Sequence, residues 1–108
     1  MSAKPVIPRE MARQDVEAAV DHYAAEAGEV IALRFIDAVE EAYRAIGRRP
    51  AAGSPRYGHE LDLPGPRTRS LRRFPYLAFY IEREDHLDVW RVLHTHRDIP
   101  AGLSDSQA

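Results

Sequence analysis

The feature that most constrains this chain is a change of hydrophobic period between its two halves. From Ala12 to Ile46 the apolar residues recur at helical spacing, whereas from Tyr76 to Leu93 they alternate. The two periods place side chains on incompatible surfaces, so the front half reads as helix and the back half as sheet. In the front half Ala12, Val16, Ala19, Val20 and Tyr23 mark one helix, with Pro8 expected in its first turn and Glu10 near its positive end. Gly28 interrupts the pattern. Ile31, Phe35, Val39, Ala42 and Ile46, flanked by Ile36 and Tyr43, mark a second helix, with Gly47 and Pro50 as stop signals. So short a link predicts an antiparallel helical hairpin.

Pro5-Val6-Ile7-Pro8 ahead of the hairpin can form at most a short edge strand, because each proline removes a ladder donor. Arg48 to Pro66 has no period and is rich in proline, glycine and alanine, which predicts a long surface loop. Leu77, Phe79 and Ile81 alternate with Tyr76, Ala78 and Tyr80, and after Arg83-Glu84-Asp85-His86 a second run from Leu87 to Leu93 alternates again. These runs predict a β-hairpin, with Thr68 to Phe74 as a weaker third strand interrupted by Arg72 and Arg73. The expected fold is α+β: an N-terminal α-helical hairpin packed on one face of an antiparallel β-sheet, the other face polar and partly open. The expected domain is residues 1–100, with 101–108 a flexible tail.

At 108 residues the chain suits one core of two packed layers. It has no cysteine, no apolar run long enough for a bilayer and no secretory leader, so the expected location is the cytoplasm, without membrane contact. Charge is unevenly spread. Residues 10–46 carry nine acids against three arginines, a net of −6, and residues 47–81 carry seven arginines against two acids, a net of +5. Such segregation suits a partner of opposite sign, although solvated helix faces are also often acidic. Of the fifteen basic residues only Lys4 is lysine, and arginine's planar fork favours carboxylates and phosphates.

The segment richest in chemistry is Trp90 to Asp98. On a regular strand Arg91 shares a face with Leu87, Val89 and Leu93, which predicts an arginine at the sheet margin paired to an acid such as Asp98. His94 and His96 share a face too, but a zinc site needs three or four ligands, and neither cysteine nor a histidine at suitable spacing completes one. No metal and no cofactor are expected. Metal-free RNA cleavage needs proton-transfer groups and cations, for which His94, His96 and Tyr80 with Arg69, Arg72, Arg73, Arg91 or Arg97 supply the types. The sequence gives no sign that they converge. Arg67, Arg69, Arg72 and Arg73, followed by aromatics, have the composition of a nucleic-acid face, but the alternating aromatics suit packing better, which favours protein recognition by the arginines.

The order of elements from Val6 to Ile99 resembles the toxins of the RelE/ParE superfamily of type II toxin-antitoxin systems. The resemblance rests on Pro8 to Val16 opening the first helix, on Pro50 to Arg56, on Tyr76-Leu77-Ala78-Phe79-Tyr80, and above all on Arg91-Val92-Leu93-His94 with Arg97-Asp98. That last string looks like the ParE branch. It implies an inhibitor of DNA gyrase or a similar target that acts by binding and is neutralised in a hetero-oligomer with a ParD-like antitoxin. Operator DNA would then be bound only indirectly, through the antitoxin. The implied target- or antitoxin-binding residues are Arg67, Arg69, Arg72, Arg73, Arg91, His94 and Arg97. The RelE branch would instead imply a ribosome-dependent endoribonuclease using His94, His96, Arg91 and Arg97, and His96 departs from the usual ParE pattern. A non-toxic binding module with the same fold is the third reading.

Overall fold

The computed structural model describes residues 4–55 and 65–98. Strand β1 (Val6–Pro8) leads into helix α1 (Glu10–Ala27) and helix α2 (Glu29–Arg48). A 3-10 turn (Pro50–Ala52) follows, then strands β2 (Arg67–Ser70), β3 (Tyr76–Glu82) and β4 (Leu87–His94). The sheet order is β1-β4-β3-β2. Pairing of β2 with β3 and of β3 with β4 is antiparallel, as expected, whereas β1 lies parallel to β4 and makes the sheet mixed. The expected loop thus contains the 3-10 turn, and its residues 56–64 lie outside the described ones, as does the expected tail.

Local chemistry explains where the elements begin and end. Pro8 closes β1 and does not enter the first helical turn, because the ladder runs on through Arg9, whose N–H donates to the Val89 carbonyl at 2.8 Å. Gly28 makes the hairpin link with φ of 94°, in the region only glycine enters freely. Gly47 does not stop α2. It is buried inside the last turn, and the helix ends when Pro50 forces the preceding Arg49 out of helical geometry, to φ −138° and ψ 72°.

The helices pack on one face of the sheet, and close packing needs small residues. Ala12 and Ala19 of α1 and Ala32, Ala38 and Ala42 of α2 are buried, letting the backbones approach, while Phe35, Val39 and Ile46 fill the volume against Ala78, Tyr80, Leu87, Val89 and Val92. Each large side chain withdrawn from water contributes roughly 1.5–3 kcal/mol. The strand row that meets the helices is Tyr76, Ala78 and Tyr80. Leu77, Phe79, Trp90 and Leu93, with Ile81 against them, form a second apolar cluster on the opposite face. That corrects the expectation of a polar far face: both rows are apolar because a tyrosine buries its ring and satisfies its hydroxyl at the edge.

A β-bulge between Phe79 and Tyr80 corrects the expected facing of β4. Val89 opposes Tyr80 and Arg91 opposes Phe79, so Trp90 is the extra residue. Beyond it the parity flips. Val92 joins Val89 on the helix side, and Trp90 and Leu93 fall on the other.

The chain leaving α2 is pinned to the sheet. Ser54 and Thr68 exchange backbone hydrogen bonds, Arg67 donates to the Gly53 carbonyl at 2.8 Å, and the Tyr80 hydroxyl donates to the Pro50 carbonyl. Gly53 lies so close to Tyr80 that an added Cβ would sit 2.0 Å from its hydroxyl oxygen. Gly53→Ala should therefore cost about 1–3 kcal/mol in urea unfolding, and adding Tyr80→Phe should recover part of that loss.

At the other end of β4, Asp88 accepts from Arg9 at 2.7 Å and from Arg83 at 3.1 Å. Burial alone would raise its carboxyl, but the hydrogen bonds from the two guanidiniums outweigh it and hold the pKa below the ordinary value. The resulting stability is present above the unfolded-state pKa and is lost as pH falls through the depressed folded one. Asp88→Asn should cost about 1–3 kcal/mol at pH 7 and flatten the acid limb of a stability-against-pH curve, read by urea melts between pH 7 and pH 2.

Candidate functional site

Among the described residues the outer edge of β4 beyond Val89 has no strand beside it, because β1 ends at Pro8. Helix α1 covers that edge with Asp15. Its carboxylate accepts from Arg91 Nε at 2.7 Å and Nη2 at 3.0 Å, and from the Val92 backbone N–H at 3.0 Å. One side chain thus satisfies an exposed ladder donor and neutralises a guanidinium, and both partners are largely buried, 15% and 12% exposed at the side chain. The expected pairing of Arg91 with Asp98 is corrected, since Asp98 accepts from the His94 backbone N–H at 3.0 Å. Asp15 went unnoticed in the sequence. The signal was there: position 15 lies on the same helical stripe as Ala12, Val16 and Ala19, and an acid inside an apolar stripe needs a partner.

The arginines of the sequence-predicted binding set separate into two kinds. Arg91 is held by Asp15, Arg67 by the Gly53 carbonyl, and Arg97 donates to the Tyr76 hydroxyl at 3.0 Å. Arg69, Arg72 and Arg73 are exposed, and their side chains make no hydrogen bond or ion pair among the described residues. Arg72 and Arg73 occupy the turn between β2 and β3, and Arg73 has φ of 70°, a left-handed conformation that L-residues seldom adopt. This turn and α2 border a groove of about 580 Å³. Ile31, Ala38 and Phe74 give it an apolar lining, and Arg34, Asp37 and Glu41 join the two arginines as its charged wall. Of these α2 residues the sequence pointed to Ile31 alone, as part of the helical stripe and not as a groove residue.

A second cluster lies at the C-terminal end of β4. His94 opposes Tyr76 across the β3–β4 ladder, and their rings meet edge to face at 5.2 Å. His96 lies 5.9 Å from His94, ring centre to ring centre. The backbone N–H of His96 donates to His94 Nδ1 at 3.1 Å. The fold thus sets His94 and Arg97 against Tyr76, with His96 beside His94, and Tyr76 and Arg97 line one cavity with Arg91, whose charge is met by Asp15. Among the described residues no group of three histidines, aspartates or glutamates could hold a metal ion.

The titratable groups here are set by burial first. Burial lowers the His94 imidazole, with Arg97 adding to the effect, and raises the Tyr76 hydroxyl, with Tyr23 adding to it. Burial, then the Asp15 carboxylate, push the Tyr43 hydroxyl up to about 12. With their pKa raised, the hydroxyls of Tyr76 and Tyr43 keep their protons at neutral pH.

Because Asp15 meets both Arg91 and an edge amide, its removal strips the guanidinium of two charge-assisted bonds and the buried Val92 N–H of its acceptor. Asp15→Ala should cost roughly 3 kcal/mol and lower the melting temperature by more than about 10 °C. Asp15→Asn, which still accepts from Val92, should lose less, as thermal unfolding of the three chains side by side will show.

Against known proteins, the sequence from residue 6 to residue 99 matches the family model of the ParE toxin of type II toxin-antitoxin systems, parDE. A solved structure described as the chromosomal ParDE TA system from P. aeruginosa superimposes with a TM-score of 0.73 and 23% sequence identity, covering 87% of this chain and 98% of that one. No curated protein matches. The family match covers the hairpin, the pinned turn, the arginine turn and the β4 cluster alike, and the chain belongs to the ParE toxin family of type II toxin-antitoxin systems.

Proposed function

We propose that the chain arrests growth by binding DNA gyrase or a similar DNA-bound target, and that a ParD-like antitoxin holds it inactive. The observation that carries the antitoxin part is the set of exposed guanidiniums without a hydrogen bond or ion pair among the described residues, Arg69, Arg72 and Arg73, of which Arg72 and Arg73 line a groove with an apolar floor. A left-handed Arg73 costs on the order of 1–2 kcal/mol, which glycine would avoid. Retaining arginine there is expected if its side chain is used. An antitoxin segment with acidic and apolar residues, ordering as it binds, fits both features. Operator DNA would be met through the antitoxin, and the complex would be a hetero-oligomer.

The second reading, a ribosome-dependent endoribonuclease, has one observation in its favour: His94 and Arg97 meet at Tyr76, with His96 beside His94. Against it, His94 Nδ1 is occupied by the His96 amide and Arg91 is neutralised by Asp15. A histidine acting as acid or base contributes typically 10²–10⁴ in rate, so its replacement would nearly abolish cleavage.

Expression of the chain alone should stop growth, and co-expression with the adjacent antitoxin gene should restore it. Purified protein should inhibit gyrase supercoiling and leave ribosome-dependent translation intact, and His94→Gln and His96→Gln should remain toxic. Growth unaffected by folded protein would support the non-toxic module instead. Loss of messenger cleavage in a His94→Gln chain that melts like the parent would support the ribonuclease. Antitoxin affinity should fall as salt rises and fall again in Arg72→Ala, while Arg73→Gly should weaken the complex although it relaxes the backbone.

A further inference from the structure

The turn that ends the sheet is closed by bonds that converge on His94, one of them on its imidazole, while the Thr95 N–H donates to the Pro75 carbonyl at 2.9 Å. The backbone N–H of His94 donates to Asp98 Oδ2 at 3.0 Å, the Asp98 N–H returns to the His94 carbonyl at 3.2 Å, and the His96 N–H donates to His94 Nδ1 at 3.1 Å. An imidazole nitrogen can accept that third bond only while it carries no proton. His94 must then be the neutral tautomer with its hydrogen on Nε2. The same turn carries Arg97, whose Nη2 donates to the Tyr76 hydroxyl at 3.0 Å.

The geometry points to His94 as a proton-operated latch: protonation at Nδ1 breaks the bond to the His96 amide and loosens residues 96–97 between the retained bonds of Thr95 and Asp98, which weakens the hold of Arg97 on Tyr76. In place of an N–H facing a lone pair, protonation sets two N–H groups against each other. It also adds a positive charge beside Arg97 and His96 in the turn and His22 on α1, which disfavour it, while Asp98 favours it and Tyr76 of β3 packs against the ring as a neutral group. Burial first, then Arg97, leave the folded imidazole below its ordinary pKa. The sign follows from linkage: closure is favoured above the ordinary histidine range and is lost as pH falls through it toward the depressed folded value.

The experiment is nitrogen-15 NMR of the full chain from pH 8 to pH 4.5, combined with hydrogen exchange of backbone amides corrected for their intrinsic rates. The expected neutral spectrum shows His94 with Nδ1 unprotonated. As His94 titrates, the His96 amide should lose protection, about tenfold for each unit by which the His94 pKa lies below that of free histidine, while the β3–β4 amides keep theirs. His94→Asn places an oxygen acceptor near Nδ1 that does not titrate, and its His96 amide should show no such dependence. A proton on Nδ1 at neutral pH, constant His96 protection, loss shared with the β3–β4 ladder, or the same dependence in His94→Asn would each overturn the latch.

Discussion

The rest of the fold depends on one carboxylate. Asp15 joins α1 to the unpaired edge of β4 by taking two guanidinium donors and one backbone N–H. A half-open strand edge is an invitation to unwanted pairing, and a helix laid along it with a charged acceptor is one way such an edge is closed. The bulge at Trp90 is part of the same solution: it puts Val92 on the helix side, against the core that α1 and α2 complete. Without the acid, the helix would meet a buried cation and an unsatisfied amide, and the loss would exceed what the alanine stripe of α1 could offset.

That arrangement divides the arginines by task. Those set against acids or carbonyls hold loops and helices in place, and those left free at the β2–β3 turn stand beside a groove whose lining is supplied by α2. Charge that looked like one basic stretch in the sequence is therefore part scaffold and part surface. The free part is concentrated on a turn whose backbone is itself unfavourable at Arg73, which fits a surface shaped for a partner more than for stability.

Much of this was legible from the residues. The helical hairpin, the link at Gly28, the β3–β4 hairpin and the edge position of β1 follow from period, glycine and proline. The parallel pairing of β1 did not, because nothing local to Pro5–Pro8 tells which neighbour the strand will have. The facing of β4 past Trp90 was misread because one inserted residue inverts every later position, and a bulge leaves no mark on alternation until its partner is known. The far-face cluster was missed because Tyr76 and Tyr80 read as the polar row, although their rings are buried. At the site, the sequence named His94, Arg91 and Arg97 but not the acid that commits Arg91, since that contact spans 76 positions.

The parallel placement of β1 beside β4 has a consequence for the order in which the chain can assemble. Among the described residues the first strand pairs with β4 alone, and the first helix finds its anchor in Arg91, so Val6–Pro8 leave the ribosome long before the strand they pair with exists. The helical hairpin can form early, held by local contacts, but its sheet-facing side must wait until β4 has been made. Closing so long a loop is slow compared with local helix formation. A chain cut short before β4 would keep two helices and lose the surface that orders them. Completion of the fold is thereby tied to the synthesis of β4.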